Sequence, residues 1–144
     1  MQIKPKIPYL SLQKGSPRRQ YLAVSVGNTN VSYSEGQTLC EQVGAGLATV
    51  LTDADYVALN TTAHQSGAPH HCGRVHMGAT SSGNSNWVWR TGALLSTSWN
   101  YWHPGEPSRT EIACMRAIVQ QDVPVTFTDF TCENTGIKCV LCDA

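Results

Sequence analysis

The chain has 144 residues, enough for one domain with a real core and no room for a second. Ten Lys and Arg balance ten Asp and Glu, so no global field recruits nucleic acid or an anionic membrane. Six cysteines with a single Cys-x-x-Cys, at Cys139 and Cys142, point to disulfides formed in an oxidising compartment, and so to a secreted or extracellular chain.

Residues 1–20 read as a basic N-terminal tail. Lys4, Lys6, Lys14, Arg18 and Arg19 meet only neutral neighbours, and Pro5, Pro8 and Pro17 prevent a continuous helix. Met1 is followed by Gln, Lys and Pro instead of an apolar stretch, which reads as a mature fragment without its signal. No apolar run reaches the roughly 18 to 20 residues that insertion in a membrane needs.

A domain is expected over 21–144. Leu22, Val24 and Val26 alternate on one face of a strand that Gly27-Asn28 closes. Ser32 and Glu35 form a capping box for a first helix, whose Leu39, Cys40 and Val43 recur at helical spacing until Gly44 and Gly46 stop it. Thr52 and Asp55 start a second helix with Val57, Leu59 and Ala63 as its apolar positions, and Gly67 and Pro69 end it. Short strands follow at 75–79, 87–89, 113–117 and 137–142. Two early helices and late antiparallel strands give an α+β fold. The stretch 90–111 has no regular period yet carries three aromatics, His103, two prolines and two glycines, the composition of a functional loop.

Asn30-Val31-Ser32 and Asn60-Thr61-Thr62 are glycosylation sequons, which fits a secreted glycoprotein. His64, His70, His71 and His76 surround Cys72, but their spacing fits no zinc pattern. No nucleophile, base and orienting acid occur as a local motif, and no Gly-rich phosphate loop, so an enzyme is not expected.

Several segments carry a family. Cys40 to Val50 has a cysteine followed by glycine and a Leu-Ala pair; Val75-His76-Met77-Gly78-Ala79 keeps the glycine of a Trp-Ile-Gly-Leu strand. Trp87-Val88-Trp89-Arg90-Thr91-Gly92 matches a Trp-x-Trp-x-x-Gly turn, and Trp102-His103-Pro104-Gly105-Glu106-Pro107 a Trp-x-x-Gly-Glu-Pro loop. In this order they resemble the C-type lectin-like domain over residues 21–143. The resemblance implies two helices, two small antiparallel sheets and a long ligand loop. It also implies disulfides Cys40–Cys142, Cys114–Cys132 and Cys72–Cys139. Cys139 is the alternative terminal cysteine; Val140-Leu141-Cys142-Asp143 mirrors the family's ending and favours Cys142.

The function implied is recognition of a glycan or glycoprotein, with a calcium-independent protein-interaction or structural role on the same fold as the alternative. In calcium-dependent members a Glu-Pro-Asn or Gln-Pro-Asp turn and a Trp-Asn-Asp triplet hold one Ca2+, and two sugar hydroxyls complete its shell of six to eight oxygens. Carried over by position, Glu106 and Asp129 match acidic ligands, while Ser108 and Thr128 put hydroxyls where amides are expected. Phe127 replaces the tryptophan as a core residue. Glu111 precedes Cys114 by three residues instead of two, which in a strand turns it to the opposite face. Any Ca2+ held by Glu106 and Asp129 should therefore bind weakly. In the family the Glu-Pro bond is typically cis, an isomer that Pro107 makes accessible. Trp87, Trp89, Trp99 and Trp102 read as core and loop packing, leaving Tyr101 and His103 as the sugar-stacking candidates.

Overall fold

The computed structural model describes residues 19–25, 27, 29–65, 72–133 and 136–144. The elements run β1 (Tyr21–Ser25), α1 (Tyr33–Gln42), β2 (Gly46–Leu47), α2 (Asp53–Gln65), β3 (Arg74–Ser81), β4 (Trp87–Trp89), β5 (Leu94–Leu95), β6 (Ala113–Gln120), β7 (Val123–Phe130) and β8 (Cys139–Asp143). The α+β class follows, with both helices ahead of most of the strands.

Both helices start as their sequences dictate. Ser32 Oγ accepts from the Glu35 N–H at 3.2 Å while Glu35 Oε1 accepts from the Ser32 N–H at 2.8 Å, a complete capping box at α1. Gly44, at φ +78, takes the left-handed turn that ends it. At α2, Asp55 Oδ2 accepts from the Leu51 and Thr52 N–H groups, and Thr52 Oγ1 accepts from the Asp55 N–H. The apolar face of α2 needs a correction: Leu59 and Ala63 are buried but Val57 is 60% exposed. Val57 and Leu59 are two residues apart and cannot share a helix face, so Tyr56, three before Leu59, takes the inward position. The expected stop at Gly67 and Pro69, together with His70 and His71, lies outside the described residues.

The strands expected as two small antiparallel sheets join into one hydrogen-bonded network. β8 is central: β1 and β2 pair with it antiparallel, and β3 pairs with it in parallel at Val75↔Cys139 and His76↔Val140. That short parallel ladder links the first group to β3, β4, β5, β6 and β7, all mutually antiparallel where they pair. Every residue of β8 is buried, as a strand covered on both faces requires. β1 is covered on both faces too, with Tyr21 and Ala23 against the main core and Val24 against the smaller cluster beneath α1. Val26, expected to continue this strand, lies outside the described residues.

Gly78, retained in the sequence motif, is required by close backbone approach. A Cβ there would collide with the Leu47 carbonyl oxygen and lie 2.9 Å from that of Ala48, and the Gly78 N–H donates to the Ala48 carbonyl at 2.7 Å. The three disulfides are Cys40–Cys142, Cys72–Cys139 and Cys114–Cys132, the implied scheme, and no free cysteine occurs among the described residues. Cys72, beside the histidines, is therefore no thiolate ligand. His76 is buried and its Nε2 lies 2.7 Å from the Val31 carbonyl oxygen.

Residues Arg19 and Gln20, placed in the tail from sequence, bond to the domain. Gln20 and Ala144 exchange backbone hydrogen bonds, and Arg19 lies 3.8 Å from Asp55 and 3.7 Å from the buried Asp143. Asp143 Oδ2 also accepts from the Thr49 N–H and hydroxyl, each at 2.7 Å, and Oδ1 pairs with Arg90. Among the described residues no helix is long and apolar enough to cross a membrane.

Candidate ligand loop and its arginines

The stretch between β4 and β6 is not wholly irregular, because Leu94–Leu95 adds a two-residue strand to β4. Beyond it the aromatics fix the loop from below. Trp87, Trp89 and Trp102 are buried and Trp99 is half-buried. Trp99 contacts Trp89, Tyr101, Trp102 and Phe127 at centroid distances of 5.5, 5.2, 6.0 and 5.0 Å. The packing role read for the four tryptophans is what they perform. Phe127 is fully buried in the core, as its replacement of a tryptophan implied.

The loop is then tied to β7, a strand the sequence pattern did not reveal. The Phe127 N–H donates to the Tyr101 carbonyl at 3.2 Å, the His103 N–H to the Phe127 carbonyl at 2.8 Å, and the Glu106 N–H to the His103 carbonyl at 2.9 Å. Glu106–Pro107 is a cis peptide bond.

Of the six residues singled out from sequence, three converge. Ser108 donates its hydroxyl to Glu106 Oε1 at 3.0 Å, and Asp129 Oδ2 accepts from the backbone N–H groups of both Ser108 and Arg109 at 2.7 Å. Glu106 is pushed above the ordinary carboxylate range, first by burial and next by its hydrogen bond with Asp129, with the Ser108 hydroxyl opposing. The other three turn elsewhere. Thr128 is buried with its Oγ1 accepting from Arg116 Nε at 3.1 Å. Tyr101 stacks on Tyr56, with centroids 3.9 Å apart and planes 6° from parallel, and donates to Asp53 Oδ1 at 2.7 Å. His103 is exposed, and its Nδ1 lies 2.9 Å from Thr126 Oγ1.

Two residues absent from the sequence reading complete the electrostatics. Arg109 Nε lies 3.6 Å from Asp129 Oδ1, and its Nη1 lies 3.2 Å from Glu111 Oε2. Glu111 thus faces a guanidinium in the open. Arg116 lies with its Cζ 3.8 Å from the centre of the Phe130 ring. A signal existed: Arg109 and Arg116 are the only basic residues between Arg90 and Lys138, and they bracket Cys114.

Calcium takes six to eight oxygens at about 2.3–2.6 Å. Here one Asp129 oxygen is occupied by two N–H donors and the other faces Arg109. The Thr128 oxygen accepts from Arg116, and the Ser108 hydroxyl donates to Glu106 while its oxygen stays free to accept. No group of three or more His, Cys, Asp or Glu side chains able to hold a metal occurs among the described residues. As the side chains stand, the charge of Asp129 is balanced by the Arg109 guanidinium.

No family model matches the sequence, and no curated protein sequence matches it. Solved structures do. TC14, a C-type lectin from the tunicate Polyandrocarpa misakiensis, is 21% identical at a TM-score of 0.66, the match covering 87% of this chain and 98% of that one. SPL-1, solved as a GlcNAc complex, is 22% identical at a TM-score of 0.66, covering 88% and 87%. A calcium-independent type II antifreeze protein is 16% identical at a TM-score of 0.63, covering 88% and 86%. The chain has the C-type lectin-like fold.

Proposed function

We propose that the chain is an extracellular recognition module that binds a carbohydrate or a glycosylated partner through the 99–109 loop and the end of β7, without calcium and without catalysis. The observation that carries the calcium-free reading is the Glu106–Ser108–Asp129–Arg109 network, in which the loop closes on a protein cation. Sugar recognition is supported by structural neighbours of the same fold, SPL-1 with GlcNAc among them. It is supported too by polar groups that the loop leaves at its surface, those of Ser108, His103 and Asn100. Three disulfides support an oxidising, extracellular setting. The second reading, a protein-interaction or structural domain, is favoured by Tyr101, whose ring is stacked on Tyr56 and edge-packed by Trp99 and so is withdrawn from any sugar shelf.

A glycan array in chelator and in millimolar calcium decides between them. Equal binding in both, reduced by Ser108→Ala and His103→Ala, is the expected result. Binding that appears only with calcium overturns the calcium-free reading, and no binding in either condition leaves the protein-interaction role.

A further inference from the structure

One face of β3, β6 and β7 carries two arginines that no carboxylate contacts among the described residues. In register, His76 faces Arg116 and Arg116 faces Thr128, while Arg74 faces Ile118. Arg74 is thus the diagonal neighbour of Arg116 on one face, at a backbone spacing of about 7–8 Å, within reach of long side chains. Neither arginine forms an ion pair. All ten Asp and Glu of the chain lie among the described residues and none comes within 4.0 Å of either guanidinium; Glu106 and Asp129 act on Arg116 only from farther off.

Arg116 is also held in place. Its Nε is committed to Thr128 Oγ1 and one face of its guanidinium lies on Phe130, while its two Nη groups make no hydrogen bond among the described residues. A guanidinium fixed at Nε and covered by a ring presents a planar edge of N–H donors, the geometry that takes a two-oxygen anion. Burial first and the Arg74 charge second lower its pKa, with Glu106 and Asp129 opposing, and the guanidinium stays charged.

We propose that Arg116 and Arg74 form a subsite for an oxyanion, a carboxylate or sulfate carried on an acidic sugar, with Arg116 making the paired contacts and Arg74 the supporting charge. This rests on the glycan-binding reading and names its ligand class. His76, on the same face, is covered by Val31 and Tyr33 and takes no part.

The test uses the intact chain in chelator against matched glycans: sialylated and desialylated, sulfated and unsulfated. Acidic forms should bind at least tenfold more tightly than their neutral parents. That advantage should fall about tenfold in Arg116→Gln and severalfold in the exposed Arg74→Gln, the latter with neutral binding unchanged. Arg116→Lys, which keeps the charge and loses the fork, should recover only part. Sialylated against sulfated ligands tell carboxylate from sulfate. Equal binding of acidic and neutral forms, or an advantage unchanged in both variants, overturns the subsite and leaves the glycan reading intact. No glycan binding at all overturns both. Should Arg116→Gln fail to fold, Arg74→Gln alone decides.

Discussion

Asp129 separates a loop anchor from a metal ligand, and Asp129→Ala tests which it is. As an anchor it accepts two backbone N–H bonds at 2.7 Å and faces Arg109 at 3.6 Å, with its side chain almost fully buried. Hydrogen bonds to a charged acceptor contribute about 1.5–3 kcal/mol each, so two would come to roughly 3–6. Ser108 is exposed and its freed N–H can turn to water, which lowers the expectation to about 2–4 kcal/mol. Asp129→Asn keeps an oxygen for both donors and loses only the attraction to Arg109, so it should cost about 1 kcal/mol. The assay is urea unfolding of both variants and the parent, in chelator and in calcium, comparing midpoints at constant slope. If Asp129 were chiefly a calcium ligand, Asp129→Ala would match the parent in chelator and lose only a calcium-induced gain. An unchanged midpoint in chelator refutes the anchoring argument.

Gly78→Ala should cost about 3 kcal/mol, the upper end for overpacking, because the atoms it meets at Leu47 and Ala48 are backbone; a thermal midpoint within a degree of the parent would count against this. Asp143→Ala leaves Thr49, Arg90 and Arg19 facing an empty buried site and should cost about 3–5 kcal/mol by denaturant unfolding, with a loss below 1 telling against the network. Burial depresses His76 below its ordinary value, so the unfolded chain takes up this proton before the folded one does. Stability should be complete above about pH 6.5 and fall as pH drops below it, and His76→Gln should flatten that slope; equal slopes would remove His76 as the cause. Glu106→Gln removes a carboxylate held against Asp129 and should raise the melting temperature at pH 7 but not at pH 4, whereas a drop at pH 7 would show that the charge is needed.

The fold was legible where local rules and global packing agree. The capping box at Ser32 and Glu35, the Gly44 turn and the Trp87–Trp89 strand needed only neighbouring residues, and each formed as read. β7 was not legible, because Phe127-Thr128-Asp129 reads as a ligand triplet and Val123-Pro124 disguises its start. β5 is two residues long, too short for a period to show. The parallel joint of β3 to β8 rests on pairing between residues more than sixty positions apart, which alternation within either strand cannot report. At the site the acids were found and their partners were not. Asking which oxygens could hold an ion passes over Arg109, whose side chain supplies the opposing charge.

The sequon at Asn60 shows the same limit from the other side. Asn60-Thr61-Thr62 satisfies the acceptor pattern, yet Asn60 lies within α2 and its Oδ1 accepts from the Val125 N–H at 2.9 Å. A glycan would attach at Nδ2 and leave this Oδ1 bond in place, so Asn60 helps join α2 to β7 whether or not it is glycosylated. Glu106 and Asp129 likewise match a ligand set by residue type while their hydrogen bonds hold the loop. With Arg109 on Asp129 and the pKa of Glu106 raised by burial and by Asp129, loop closure should respond to protons. Glu106 and His76 then act with opposite sign as pH falls, the first relieved of repulsion and the second forced to charge in the core. His76 is the more deeply buried and has no acid beside it, so the net stability of the domain should follow His76, while the loop itself closes more firmly in acid.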